Sequence, residues 1–161
     1  MLSSRFPVAV QILIILDWCP DNVKITSELI STSVNTNPVI IRRIMAYLKK
    51  HQLIATASSS EGAKLLKSPE DISLLDVYNA VELTEENQLF ALHENTNPHC
   101  PIGSRINEVL TLPLYEARLA LEDSLARISI ADLTDEFIAF GDFVNSADYK
   151  AIEKLFPTLQ N

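Results

Sequence analysis

Asn35, Thr36, Asn37, Arg42 and Arg43 fall within one short stretch and offer amide, hydroxyl and guanidinium groups. Such side chains suit base edges and phosphates, and arginine can take guanine or phosphate bidentately. Ser4, Arg5, Lys49 and Lys64 add candidate phosphate contacts. A different chemistry is offered by His99-Cys100, the only adjacent histidine–cysteine pair of potential metal ligands. A zinc site needs two more donors, and His93 is the only nearby candidate. A single exposed thiol can be oxidised or can pair with its copy across a dimer, so Cys100 is a candidate redox sensor. The alternative is an ordinary loop cysteine. Cys19 reads as a small buried hydrophobe. Two cysteines cannot build a disulfide framework, a four-cysteine zinc site or a self-contained iron–sulphur cluster, so no metal or cofactor is expected. No nucleophile–base spacing, phosphate loop or paired-carboxylate motif stands out, and the chain is not read as an enzyme.

The elements that must position these residues follow from patterning. An apolar helix is expected from about Phe6 to Trp18, with Ser4 as a candidate N-cap, Pro7 in the first turn and Pro20 forbidding continuation. Ile25 to Ile30 reads as a short second helix capped by Thr26 or Ser27, followed by a turn at Ser33-Val34-Asn35-Thr36. Asn37-Pro38 is a cap followed by a first-turn proline, and it starts a third helix running to about His51. Ile40, Ile41, Ile44, Met45 and Leu48 form its apolar side, and the head core is expected to use Ile12, Ile15, Ile40, Ile44 and Leu48. Two helices joined by a tight turn, the second amphipathic and basic, form the helix-turn-helix pattern. Leu53 to Ala57 and Ala63 to Lys67 can pair around the turn cluster Ser58-Ser59-Ser60-Glu61-Gly62, which makes a wing. Ser73 caps a fourth helix to Glu82, with Asp76 completing an acidic capping box.

Charge sharpens this picture. Residues 1–67 carry eight basic and four acidic side chains, a net +4, whereas the remaining five basic and 17 acidic give −12, for a total of −8. A cationic head joined to an anionic tail suggests that only the head meets a polyanion. The longest apolar run, Val8 to Leu16, is interrupted by Gln11, whereas a bilayer crossing needs about 20 residues. Arg5 before that run could open a signal peptide, but the small-residue cleavage pattern is missing and Asp17-Trp18 follows at once. No membrane partner and a cytoplasmic location are therefore expected.

Taken in order, these residues resemble the Rrf-two family of bacterial winged-helix transcriptional regulators. The resemblance rests on Ser4-Arg5-Phe6, on Ser33 to Pro38, on Leu48 to Ile54, and on Pro69 to Val77. It extends to Asn97-Pro98-His99-Cys100-Pro101-Ile102-Gly103, similar to the sensor loop of the subgroup with few cysteines, and to Ser129-Ile130-Ala131-Asp132-Leu133, which closes the family's long dimer helix. It implies a winged helix-turn-helix, DNA recognition and dimerisation over roughly residues 1–133. Two departures stand out. The family's wing usually carries arginine and several glycines, whereas Glu61 here repels phosphate; and cluster-binding members place three cysteines in the sensor loop, where this chain has only Cys100.

The tail is expected to supply the dimer. Leu110, Leu114, Ala117, Leu121, Leu125 and Ile128 recur at coiled-coil-like steps, interrupted near the start by Pro113, where a kink or a fresh helix start is expected. The alternative is a helix packed on its own domain. The acidic stretch from Thr134 to Asn161 carries Phe137, Phe140, Phe143, Ile152, Leu155 and Phe156 and is expected to form a helical extension capping the dimer. The whole is mainly α with a small β-hairpin wing. The expected division is a DNA-binding head over 1–82, a connector and sensor loop over 83–103, a dimerisation helix over 104–133 and an extension over 134–161. The function expected is a dimeric, sequence-specific repressor of transcription bound to double-stranded DNA. The alternative is a winged-helix dimer with weak DNA binding that acts as a thiol-sensing or protein-interaction module.

Overall fold

A computed structural model describes residues 4–20, 23–56, 62–82, 90, 92 and 95–139. The first helix, α1, spans Arg5–Trp18. Ser4 stands at its N-cap position, but its side chain makes no capping hydrogen bond. Ala9, Ile12 and Leu13 are fully buried, and each large aliphatic so placed contributes roughly 1.5–3 kcal/mol from burial. The second helix, α2, spans Ser27–Val34, with the Thr26 hydroxyl accepting from the Leu29 amide at 3.2 Å. It runs further than the sequence suggests, because Asn35 takes the left-handed conformation (φ 55°) that closes a helix C-terminus, and its amide bonds back into the last turn. The third helix, α3, spans Pro38–Lys50.

Strands β1 (Ile54–Thr56) and β2 (Ala63–Leu65) pair antiparallel, with Ile54 opposite Leu65 and Thr56 opposite Ala63. Their tip, with Ser58, Ser59, Ser60 and Glu61, lies outside the described residues. Gly62 is required at the root of the hairpin. Its φ is +77°, and a Cβ there would stand 2.8 Å from the Ile25 carbonyl oxygen, which itself accepts from the Ala63 amide. A 3-10 turn at Pro69–Asp71 leads into α4 (Leu74–Val81), where the expected Ser73–Asp76 capping box is present.

The long helix α5 spans Ile106–Ala126 and passes through Pro113 without restarting, so the expected fresh start there does not occur. Proline takes only its own amide out of the ladder, at the Val109 carbonyl, and just before it the Thr111 hydroxyl donates to the Asn107 carbonyl. The next helix, α6 (Ile130–Ala139), packs back against α1 of the head. It opens with a second box of the same design, Ser129–Asp132. The two boxes are joined. Ser73 and Ser129 form an isolated antiparallel bridge, the Leu74 amide donates to the Ile128 carbonyl, and the Ile130 amide donates to the Ile72 carbonyl.

One core serves the head, and it takes Ile12, Leu13, Ile30, Ile41, Ile44, Leu48, Ile72 and Val77 together with Ile130 from α6. Trp18 packs edge-on against Phe137 of α6, with ring centroids 5.8 Å apart. Ile40 does not belong to this core. It is 48% exposed, and Ile41, one residue on, is fully buried in the place assigned to it. Three consecutive aliphatics cannot share one face of a helix that turns about 100° per residue.

Candidate nucleic-acid interface

The buried side of α3 is Ile41, Ile44, Met45 and Leu48. At about 100° per residue, the opposite side is Val39, Arg43, Ala46 and Lys50, all exposed. The basic residues of α3 divide accordingly. Arg42 and Lys49 lie on the flank toward α2 and the hairpin, while Arg43 and Lys50 point away from the core. An open cleft of about 650 Å3 separates α2 from the hairpin, with Glu28, Arg42, Lys49 and Thr56 among its lining residues.

Arg42 and Arg43 have different surroundings. Arg42 reaches back to α2, with Nη2 2.8 Å from Glu28 Oε1 and Nε donating to Ser27 Oγ at 3.2 Å. The Arg42 hydrogen bond, with a backbone bond and Ser27 adding to it, holds the Glu28 carboxyl down to about 2. Arg43 stays on its own helix, donating from Nε to the Tyr47 hydroxyl at 3.3 Å, and that bond lowers the pKa of the Tyr47 phenol.

The turn between the helices is Asn35, Thr36 and Asn37. Asn35 is exposed, and the Thr36 amide donates to the Ser31 carbonyl at 3.0 Å. Asn37 caps α3, its Oδ1 accepting from the Val39 amide at 2.8 Å, which leaves the amide NH2 as the group that can meet a ligand. Lys49 donates to Thr56 Oγ1 at 2.8 Å, tying α3 to β1, and Lys64 is exposed on β2. Ser4 is exposed at the start of α1. Arg5 sits 3.9 Å from the carboxylate of Glu82, a buried side chain at the end of α4. Thus Asn35, Thr36, Asn37, Arg42 and Arg43 share one end of the helix pair, with Lys49 and Lys64 towards the hairpin, while Arg5 is engaged with Glu82.

Three α3 residues on or beside the outward face escape sequence reasoning, namely Val39 (62% exposed), Ile40 (48% exposed) and Ala46. The signal for Val39 is its position half a turn from the Ile44–Leu48 stripe. Along α5 no residue is buried. Of the seam, Leu114, Leu121 and Leu125, with Ile128 just beyond the helix, are half-buried by their own chain, whereas Leu110 and Ala117 are exposed. Large apolar side chains outside the seam, Val109, Leu112, Tyr115 and Leu119, are also exposed.

The Cys100 loop is a closed turn. Asn97 Oδ1 accepts from the His99 amide, the Asn97 carbonyl accepts from the Cys100 amide, and a Cβ on Gly103 would meet that carbonyl oxygen at 2.8 Å. The amides of Gly103 and Ile102 face the sulphur and lower the thiol pKa. Burial does the reverse to Cys19, pushing its thiol up to about 11. His93 and the acidic tail beyond Ala139 lie outside the described residues.

Comparison with known proteins follows the same geometry. Residues 2–136 match the Rrf2 family model, described as an iron-dependent transcriptional regulator. The chain is 44% identical over 133 residues to the HTH-type transcriptional regulator YwnA of Bacillus subtilis, covering 83% of this chain and 96% of that one. A crystal structure described as a DNA-binding protein superposes with a TM-score of 0.65 at 38% identity, over 81% of this chain and 98% of the other. A transcriptional regulator from Lactobacillus plantarum gives a TM-score of 0.70 at 26% identity, over 88% and 94% of the two chains. The iron in the family description can be tested against the donors present. The chain has two cysteines, one inside the head core and one on the loop, and no three His, Cys, Asp or Glu side chains converge among the described residues. The donor set of the described residues does not fit an iron centre. No helix among the described residues is long and apolar enough to cross a membrane.

Proposed function

Because the chain belongs to the Rrf2 family of transcriptional regulators, we propose that it is a cytoplasmic homodimer that binds double-stranded DNA sequence-specifically and represses transcription. The observation that carries this reading is the outward face of α3, with Val39, Arg43, Ala46 and Lys50 exposed on a helix that holds four cations and no acid. A recognition helix enters the major groove with its N-terminal residues toward the bases. In that pose Asn35, Thr36, Asn37 and Arg43 meet base edges or phosphates, and Ala46 lets the backbone approach closely. Arg42, Lys49, Lys64, Ser4 and Arg5 lie at the margins, where phosphates run. Arg42 and Arg5 exchange their carboxylate partners for phosphate as they do so.

Dimerisation is assigned to α5, which has no fully buried residue in its own protomer. Leu110, Leu114, Ala117, Leu121, Leu125 and Ile128 supply the contact through whatever surface their own head leaves open. Two heads related by a twofold axis then present two recognition helices to two half-sites. Occupying such a site excludes other proteins from it, which is sufficient for repression.

A second reading is favoured by one observation, the backbone amides of Gly103 and Ile102 that face Cys100. It assigns the dimer to thiol sensing or protein interaction, with weak DNA binding. Equilibrium binding to a pool of sheared genomic DNA, measured as salt is raised, separates the two. A steep loss of affinity with salt and recovery of discrete fragments support the regulator. Weak binding with no recovered fragment supports the sensor module.

A further inference from the structure

The first turn of α3 presents two adjacent β-branched aliphatics, Val39 and Ile40, to solvent on the end of the helix that carries the turn Asn35-Thr36-Asn37. Single exposed hydrophobics need no explanation. These two are unusual in their setting, because every other exposed side chain of α3 before Ala46 is an arginine and the preceding exposed ones are asparagines. Their backbone is fixed, since the Val39 amide is held by the Asn37 cap at 2.8 Å and the Ile40 amide donates to the Asn37 carbonyl at 2.9 Å. Their side chains are fixed too, because β-branching leaves essentially one χ1 rotamer for valine and isoleucine in a helix. A rigid apolar knob is thus set among cations and amide donors.

We propose that Val39 and Ile40 read thymine, packing against C5-methyl groups in the major groove, so that the half-site includes a T·A pair facing the first turn of α3. This rests on the DNA-binding reading above and adds to it the base that the apolar residues select. The charge of the helix argues for a polyanion as occupant, and the one apolar group on a base edge in the major groove is the thymine methyl. The neighbouring polar group fits the same half-site. The Asn37 cap uses its oxygen and leaves both NH2 donors to meet acceptors such as thymine O4 or purine N7.

The test begins with a duplex selected from a random-sequence pool by the full-length protein. Thymines of that duplex are then replaced one at a time by deoxyuridine, which removes only the methyl group. At one or two positions per half-site, affinity should fall roughly fourfold per methyl lost, and the remaining positions should be neutral. In the V39A/I40A variant, which alters only exposed side chains, the same replacement should have no effect, the mark of direct coupling. Selection of a duplex with no uracil-sensitive position overturns the thymine assignment and leaves the DNA-binding reading standing. So does a penalty that persists undiminished in the variant. Failure to select any duplex overturns both.

Discussion

The Arg42 guanidinium lies 2.8 Å from the Glu28 carboxylate, so the helix-turn-helix carries an ion pair between its two helices at the edge of the proposed DNA face. Arg43, next in sequence, has no acidic partner among the described ion pairs and lies on the opposite side from the core. Two consecutive arginines are therefore unequal. One must leave a carboxylate to meet phosphate, and the other is ready to do so.

Glu28→Gln should strengthen DNA binding. It removes a negative charge beside the phosphates and releases Arg42. Because Glu28 is held down to about 2, it is charged throughout the neutral range, and the effect should be the same at pH 6 and pH 8. The slope of log K against log salt should stay close to the wild-type value, because Arg42 meets phosphate in both complexes. Unchanged affinity in fluorescence anisotropy would show that Arg42 stays off the DNA.

The joined caps of α4 and α6 predict an acid-sensitive contact that the single tryptophan can report. The Ser129 amide, then the Ser129 hydroxyl, lower the Asp132 pKa, so the charged form is favoured in the folded protein. A depressed carboxylate stabilises above its unfolded pKa and loses that contribution as pH falls through its folded value. Urea unfolding followed by Trp18 emission should therefore show stability falling below about pH 4, a dependence that Asp132→Asn reduces. Ser73→Ala, which breaks the partner box, should cost about 1 kcal/mol in urea unfolding.

The thiols should separate cleanly. Iodoacetamide at pH 7.5 should label Cys100 and leave Cys19 untouched until the protein unfolds, because one pKa is lowered by amides and the other is raised to about 11 by burial. Protein purified without oxygen should be colourless and free of stoichiometric iron. Mass spectrometry and metal analysis check both outcomes, and a visible cluster band with matching iron and sulphide would overturn the second.

Leu110→Glu combined with Ala117→Glu should dissociate the dimer without lowering the thermal stability of the head, since both side chains are exposed in the protomer. Leu121→Glu should dissociate it as well and also destabilise, because Leu121 is half-buried by its own chain. Sedimentation velocity decides. If the double variant stays dimeric while Leu112→Glu dissociates, the pairing face is the opposite side of α5.

The head was legible in the sequence because each of its signals is local. Asn37-Pro38 starts α3, Ser73 to Asp76 caps α4, and Pro20 follows the end of α1. What the sequence left ambiguous depends on tertiary context. The run Val39-Ile40-Ile41 does not reveal which aliphatic faces inward, and a seam spaced for a partner is spaced equally well for the helix's own head. The second box at Ser129 was readable as the same motif, but its bridge to Ser73 joins residues 56 positions apart, and spacing carries no trace of it. Nor did composition reveal that Glu28, from the preceding helix, would hold Arg42.

Footprinting the full-length protein on a recovered genomic fragment, beside Arg43→Ala on the same fragment, decides whether α3 recognises the operator. The expected result is an inverted repeat whose half-sites lie about 34–36 Å apart on one face of the duplex. Arg43→Ala should weaken protection by about 1–3 kcal/mol and relax specificity at one position per half-site. Protection that is uniform along the fragment, or a discrete footprint that Arg43→Ala leaves unchanged, would contradict recognition through α3.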